Sequence, residues 1–181
     1  METETGEHME IERKFLLNSL PEDFDSCLHR EMEQGYLITD GCTLRIRKSD
    51  DTCYLTLKQK PGGHEGSVIV NEEFETEIPE ESYEALKRLV RGGFVKKTRT
   101  EIPYLDHVIE VDVFHGNLEG LVFAEIEYTD GEDALTLPLP VWFSKDVSED
   151  RRFRNTRLSE MTRRDALRLL EEISERGSLV L

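Results

Sequence analysis

Two carboxylates and one ammonium alternate near the start of the chain, in the segment Glu10-Ile11-Glu12-Arg13-Lys14. In a β-strand successive side chains point to opposite faces, so Glu10, Glu12 and Lys14 would share one face. Carboxylate oxygens bind Mg²⁺, and an ammonium attracts an anion. For this segment alone a solvated strand face is the simpler interpretation. The alternative is a face that holds a metal ion together with an anion.

The same alternation recurs in most later predicted strands, and the charges sort by sign from strand to strand. The basic positions are Arg45, Arg47, Lys58, Lys97 and Arg99, and the acidic ones are Glu73, Glu75, Glu110, Asp112, Glu125 and Glu127. If these faces point into a barrel, unpaired charges there would be costly. They become tolerable if they pair, or if carboxylates hold Mg²⁺ and basic groups hold phosphates. Polyphosphate is the substrate class that uses both signs.

Eight predicted strands position these side chains, with helices between and after them. The strands cover residues 10–17, 33–38, 43–47, 53–58, 68–78, 94–100, 107–114 and 121–128. Helices are predicted over 22–30, over 80–91 with Gly92-Gly93 as the stop, after Ser148 as N-cap, and over 162–175. Mostly hairpin order predicts an α+β fold, an eight-stranded antiparallel β-barrel with flanking helices and a C-terminal helix. A barrel of that size fits one small ligand.

Composition narrows the choice of partners. The 181 residues are 34% charged with a net charge of −16, which argues against a general nucleic-acid binder and against binding to an anionic membrane. A small anionic substrate stays open because local charge in a cleft decides its binding. We expect a flexible tail over 1–8 and one domain over 9–181. The three cysteines form no C-x-x-C pair, which favours free thiols in the cytoplasm.

In order along the chain, these segments resemble the motifs of the CYTH, or triphosphate tunnel metalloenzyme, superfamily. The E-x-E-x-K signature of that superfamily is similar to Glu10-x-Glu12-x-Lys14 of this chain. Its later motifs resemble, in order, Arg45-x-Arg47, Thr56-Leu57-Lys58, Glu73-x-Glu75, Lys97-x-Arg99, Glu110-Val111-Asp112 and Glu125-Ile126-Glu127. One such match would be weak evidence, whereas seven in register are strong. The resemblance implies an eight-stranded antiparallel barrel with a charged tunnel that binds triphosphate with a divalent metal, Mg²⁺ or Mn²⁺.

The resemblance also implies a role for each charged position. Glu10, Glu12, Glu125 and Glu127 resemble the main metal ligands, Asp112 is a further candidate, and Glu73, Glu75 and Glu110 are supporting acids. The phosphate clamp would be Arg45, Arg47, Lys58, Lys97 and Arg99. The family often has an arginine where this chain has Asn71, two residues before the glutamate pair, and the clamp is then one basic residue short.

Two further segments look like the bacterial inorganic tripolyphosphatase branch. They are Gln34-Gly35-Tyr36-Leu37 and Trp142-Phe143-x-x-Asp146-Val147-Ser148-Glu149-Asp150. In that branch a tyrosine and the signature lysine, here Tyr36 and Lys14, orient the attacking water. We expect neighbouring arginines and metal to lower the pKa of Lys14, which would suit such a role. The C-terminal segment would close one end of the tunnel, and a closed tunnel favours a short substrate.

The sequence therefore predicts a cytoplasmic, metal-dependent hydrolase that cleaves a terminal phosphate from inorganic triphosphate by water attack. One alternative is a thiamine or nucleoside triphosphatase or a class IV adenylyl cyclase, although no base-binding site is visible. Another alternative is a non-catalytic polyphosphate-binding module, against which Lys14, Tyr36 and the acidic set count. The physiological substrate, the preferred metal and a homodimer are left open.

Overall fold

Nine strands and four helices make up the part of the chain that our computed structural model describes, residues 8–38, 41–59 and 69–181. The strands are β1 (His8–Leu17), β2 (Leu28–Ile38), β3 (Cys42–Ser49), β4 (Thr52–Gln59), β5 (Ile69–Glu77), β6 (Arg91–Tyr104), β7 (His107–Phe114), β8 (Val122–Tyr128) and β9 (Phe143–Asp146). The helices are α1 (Glu80–Lys87), α2 (Gly131–Thr136), α3 (Asn155–Leu158) and α4 (Arg163–Glu175). Residues 1–7 of the predicted tail lie outside the described residues.

The strands pair antiparallel in the order β5-β4-β3-β2-β6-β7-β8-β1-β9, and β5 pairs again with β1. Eight strands therefore form a ring of hydrogen-bonded neighbours, to which β9 adds on the β1 side. The predicted α+β fold with a tunnel-forming antiparallel sheet is confirmed. The ninth strand is a small difference, and with four residues it is too short for the sequence pattern to reveal.

Some predicted helix boundaries are wrong. Segment 22–30 holds only a 3₁₀ turn at Phe24–Ser26, and β2 already begins at Leu28, where pairing with β6 outweighs local helical preference. Helix α1 ends at Lys87, and Gly92-Gly93 instead lies in β6, where the Gly93 N–H donates to the Ser159 carbonyl. Asp150 rather than Ser148 caps the 3₁₀ turn that follows it.

Register identifies the residues that share the inner face of the ring. Glu12 lies opposite Glu127, and Lys14 lies opposite Glu125. Residues directly opposite one another in a sheet point to the same face. On β2, across the ring from β1, the charges of Lys14 and Glu125 act on Tyr36, so this face points inward.

The outer face of β1, β7 and β8 is apolar and covered. Phe15, Val111 and Ile126 are buried there in one core with Ala134 of α2 and Phe143 of β9. A separate core lies under α1, where Tyr83 is fully buried. The charged face is therefore inside the ring because the other face is taken up by these cores.

Apolar side chains fill one end of the inner face. Leu16 follows Lys14 by two residues, Val95 precedes Lys97 by two, and Phe123 precedes Glu125 by two, so each shares the inner face with its charged neighbour. Together with Phe114 they pack in one core with residues of the C-terminal segment, namely Phe153, Leu158, Ala166, Leu169, Leu170 and Ile173. This segment therefore covers one end of the ring.

Helix α4 is fixed at its start by a capping box, in which the Thr162 and Asp165 side chains each bond the other's backbone N–H. Its apolar stripe is what reaches the core at the covered end. Among the described residues, no helix is long and apolar enough to cross a membrane.

The packing of α4 makes a testable prediction about stability. Leu169 is 5% exposed in the core at the covered end, whereas Leu167 on the same helix is 45% exposed. We expect Leu169→Ala to lower the free energy of unfolding by about 2–5 kcal/mol through lost burial and a cavity. The control Leu167→Ala should change it by about 0.5 kcal/mol or less. Urea denaturation measures both, and equal losses would mean that α4 does not pack as described.

Candidate active site

A chain of buried ion pairs crosses β1, β8, β7 and β6 on the inner face. Lys14 Nζ contacts Glu125 Oε1, and Arg99 Nη2 donates to the other oxygen of Glu125 at 2.6 Å. Arg99 also donates through Nε and Nη2 to both oxygens of Asp112 at 2.7 Å, while Lys97 Nζ contacts Asp112 and Arg99 Nη1 contacts Glu110. Asp112 is fully buried, so these charges depend on one another rather than on water.

A second network lies on β3, β4 and β5. Glu75 accepts hydrogen bonds from Arg47 Nη2 at 2.8 and 3.0 Å, from Arg45 Nη2 at 3.2 Å and from Thr56 Oγ1 at 2.6 Å. Lys58 Nζ lies 2.5 Å from Glu73 Oε2. The supporting acids thus hold the predicted clamp residues in place. The structure brings both networks to the same inner face.

The expected lowering of the Lys14 pKa is wrong. Burial does lower it, but the carboxylates of Glu125 and Glu12 raise it by more, and the pKa of Lys14 lies above its usual range. Its Nζ contacts Glu125 and lies 3.9 Å from Glu12 Oε1. The expectation rested on neighbouring arginines and a metal ion, whereas the ion-pair partners of Lys14 are carboxylates.

The lysine with a lowered pKa is Lys97. Burial and the neighbouring Arg99 lower the pKa of Lys97 to about 8, although Asp112 opposes the shift. Burial and the charges of Arg45 and Arg99 also lower the pKa of Arg47. Crowding of cations in a buried place favours an anion, because an anion would relieve their mutual repulsion.

The positions predicted for metal are only partly described. Glu12 lies opposite Glu127 on adjacent strands, while the side chains of Glu10 and Asn71 lie outside the described part. Among the described residues no three acidic, histidine or cysteine side chains are grouped to hold a metal ion. Mg²⁺ commonly uses one or two carboxylates plus substrate phosphates. The Glu12 and Glu127 pair fits that requirement.

The two residues predicted to be catalytic, Lys14 and Tyr36, have hydrogen-bond partners that the sequence did not predict. The Lys14 backbone N–H donates to Ser148 Oγ at 2.9 Å, and Ser148 Oγ donates to Asp146 at 2.6 Å. Arg13 in turn donates to Asp146 with Nη2 at 2.7 Å. Gln34 Nε2 donates to Tyr36 Oη at 2.6 Å. Gln34 and Ser148 were visible only as members of motif-like segments, because their partners are set by the fold.

Comparison with known proteins places this site in context. The family model described as the CYTH domain matches residues 8–139. The inorganic triphosphatase of Nitrosomonas europaea is 35% identical over 83% of this chain and 96% of its own length. That of Acetivibrio thermocellus is 35% identical over 82% of this chain and 92% of its own. A crystal structure of an inorganic triphosphatase superposes with a TM-score of 0.61 at 32% identity, over 84% of this chain and 95% of that one.

The buried charge network makes a prediction that needs no substrate. Asp112→Asn removes the negative charge that Lys97 and Arg99 share, and breaking a buried pair costs about 3–5 kcal/mol. Urea denaturation should show a loss of that size. Glu110→Gln is the matched control, because Glu110 also contacts Arg99 but is 36% exposed, and its loss should be clearly smaller. Equal losses would argue against the central place of Asp112.

The lowered pKa of Lys97 gives stability a specific pH dependence. A lysine in the unfolded chain has a pKa of about 10.4. Between pH 8 and that value, Lys97 is therefore protonated to a greater extent in the unfolded chain than in the folded protein. Lys97 therefore makes stability rise with pH in this window. Compared with Lys97→Met, wild type should gain stability as pH rises from about 8 to 10. A pH-independent difference between the two proteins would contradict this.

Proposed function

The chain belongs to the CYTH-domain family, and from this premise we propose that it is a metal-dependent hydrolase of inorganic triphosphate. The observation that carries the proposal is the inner face of the ring, where a basic clamp and a set of carboxylates share one space. The basic clamp includes Arg45 and Arg47. The carboxylates include Glu12 and Glu125. Such a face suits a short, highly charged chain of phosphates.

In this proposal the cations bind the phosphates and neutralise charge in the transition state. Arginine offers bidentate hydrogen bonds to phosphate oxygens and lysine a point charge. Glu73 and Glu75 form ion pairs with the clamp residues of β3 and β4, which are Arg45, Arg47 and Lys58. The substrate would compete with these two carboxylates and would displace them because it carries more negative charge. The apolar core around Phe123 limits how far a chain can extend, which supports a short substrate.

Metal dependence and its ligands are part of the proposal. Glu12 and Glu127 would hold Mg²⁺ or Mn²⁺, with Glu10, Glu125 and Asp112 as further ligands. These residues would hold the ion beside the phosphates, where it would supply positive charge against theirs. Glu125 and Asp112 are engaged by Lys14, Lys97 and Arg99, which supports a smaller direct share for these two.

An organic triphosphate is the runner-up substrate. Trp142, the only tryptophan, packs edge-on against Phe143 with ring centroids 4.6 Å apart in the outer core. It is therefore placed for packing, and it offers no stacking surface on the inner face. This favours the inorganic substrate over a nucleotide or thiamine ester.

We also propose that residues 9–181 act as one cytoplasmic domain. Three free cysteines, Cys27, Cys42 and Cys53, support a reducing compartment. The C-terminal segment shares a core with β1, β6, β7 and β8, which supports a single domain. A homodimer stays a prediction, which sedimentation of the purified protein would test.

A phosphate-release assay tests substrate and metal together. Tripolyphosphate, ATP and thiamine triphosphate are each supplied with Mg²⁺, with Mn²⁺ or with excess chelator. We expect the highest kcat/KM on tripolyphosphate, loss of turnover in chelator, and recovery when metal is added back. Full activity in chelator would remove the metal from the mechanism, and a preference for ATP or thiamine triphosphate would overturn the substrate.

Lys14 can be tested as a cation against Lys14 as a base. Because Glu125 and Glu12 raise its pKa above the usual range, we expect it to act as a charge. Lys14→Arg should then keep a larger share of kcat than Lys14→Gln, whose kcat should fall by about 10²–10³-fold through the loss of one stabilising charge. An arginine cannot accept a proton at working pH, so equal losses in the two variants would favour a base. Circular dichroism checks that both variants fold.

A further inference from the structure

Gln34 is a buried polar side chain that the proposed mechanism does not yet use. It is 1% exposed and lies on β2, two residues before Tyr36 and therefore on the same inner face. Its Nε2 donates to Tyr36 Oη at 2.6 Å. A buried amide is costly without partners, so this hydrogen bond accounts for an amide where an apolar side chain would otherwise be favoured.

The surroundings connect this pair to the phosphate clamp. Gln34 lies opposite Arg47 on β3, and Tyr36 lies opposite Arg45. Tyr36 is 3% exposed, and burial raises the pKa of Tyr36 to about 12 although the charges of Arg45 and Lys58 oppose the shift. The hydroxyl therefore keeps its proton around neutral pH while it lies among cations that would hold phosphate.

The direction of the hydrogen bond decides what the Tyr36 proton can do. A phenol hydroxyl has one proton to donate and lone pairs to accept with. Because Gln34 donates, it occupies a lone pair of Oη, and the Tyr36 proton must point elsewhere. If the amide oxygen faced Tyr36 instead, it would accept a hydrogen bond from the Tyr36 hydroxyl. The hydroxyl could then only accept a hydrogen bond from any other group.

We propose that Gln34 is a positioning residue that fixes Tyr36 as a hydrogen-bond donor to the triphosphate, rather than as an acceptor from water. The inference rests on the proposed function. A neutral donor held among Arg45, Lys58 and Lys14 adds a hydrogen bond to a phosphate oxygen without adding a charge that must be buried. Its effect grows as negative charge develops on that oxygen in the transition state, so it acts on kcat more than on KM.

Two substitutions at Gln34 separate the two directions. Gln34→Met keeps the length of the side chain and removes the amide, whereas Gln34→Glu places an acceptor beside Tyr36 Oη. We expect about a tenfold fall in kcat on tripolyphosphate for Gln34→Met, a fall at least as large for Gln34→Glu, and a KM change of less than about threefold for Gln34→Met. Wild-type kcat in Gln34→Glu would show that the amide accepts, and would overturn the proposal.

The same two changes made in a Tyr36→Phe background show whether Gln34 acts through Tyr36. With the hydroxyl gone, Gln34→Met should change kcat by less than about twofold, whereas Gln34→Glu should still lower it because it adds a buried charge opposite Arg47. A Gln34→Met loss that multiplies in full would mean that Gln34 acts independently, and would also overturn the proposal. Gln59→Met is the matched control, because Gln59 is an exposed amide on β4, and its kcat should equal that of wild type.

A folding measurement keeps this inference distinguishable from the proposed function. Urea denaturation of wild type, Gln34→Met, Tyr36→Phe and the double variant gives the coupling of the pair in the folding equilibrium, expected at about fivefold to tenfold. Absence of coupling contradicts the hydrogen bond whether or not the protein is active. If wild type cleaves no triphosphate while the coupling is present, the proposed function and the catalytic role of Gln34 fall, and the bond alone stands. If Gln34→Met does not fold, Gln34→Asn, which keeps the amide but shortens its reach, replaces it in both cycles.

Discussion

The structure depends on one buried guanidinium. Arg99 contacts carboxylates from β7 and β8, namely Glu110, Asp112 and Glu125, and it is 7% exposed. The free energy of desolvating two charges exceeds the attraction of a poorly aligned ion pair. A buried guanidinium is therefore stable only when several well-placed carboxylates surround it. Here the partners come from neighbouring strands, and the register of β6, β7 and β8 is therefore tied to their pairing. A slip by one residue would turn these charges to the outer face, which two apolar cores already occupy.

A net charge of −16 does not by itself oppose the proposed polyanionic substrate, because the charges local to a cleft decide its binding. On the inner face, cations of β1, β3, β4 and β6 are paired with carboxylates of β5, β7 and β8. In the proposed function, a triphosphate would meet Arg45 and Arg47 with Glu75 already between them, so binding would exchange one anion for a more highly charged one. Such an exchange would bury no new unpaired charge, and the released carboxylates would be near the phosphates and able to help hold a metal ion.

The sequence predicted the inner face well because a period of two fixes which side chains share it. Strand β7 has the predicted bounds, and the charged residues of β1, β3, β6 and β8 share a face as expected. The predictions from the sequence were wrong where a residue far away in the chain determines the local structure or the pKa. Segment 22–30 has helical spacing, yet β6 draws Leu28 into a strand. The pKa of Lys14 depends on Glu125, which lies far away in the sequence and directly opposite in the sheet. The hydrogen bond of Gln34 has no sequence signal at all.

The pKa values of both residues expected to handle water are raised in this structure. Burial raises the pKa of Tyr36, and the carboxylates of Glu125 and Glu12 raise the pKa of Lys14. Phosphoryl transfer to water does not require a strong base when the transition state is loose, as it is in most analyses. The attacking water then forms only a weak bond to phosphorus and has little need to lose its proton first. What such a transition state requires is positive charge and hydrogen-bond donors around the transferred group, already oriented before the reaction. In the proposed function, the buried ion pairs around Arg99 would provide that orientation, since none of them can rotate without leaving a charge unpaired. For the proposed function, this arrangement supports a role of Lys14 as a fixed charge, which the comparison of arginine and glutamine at that position tests.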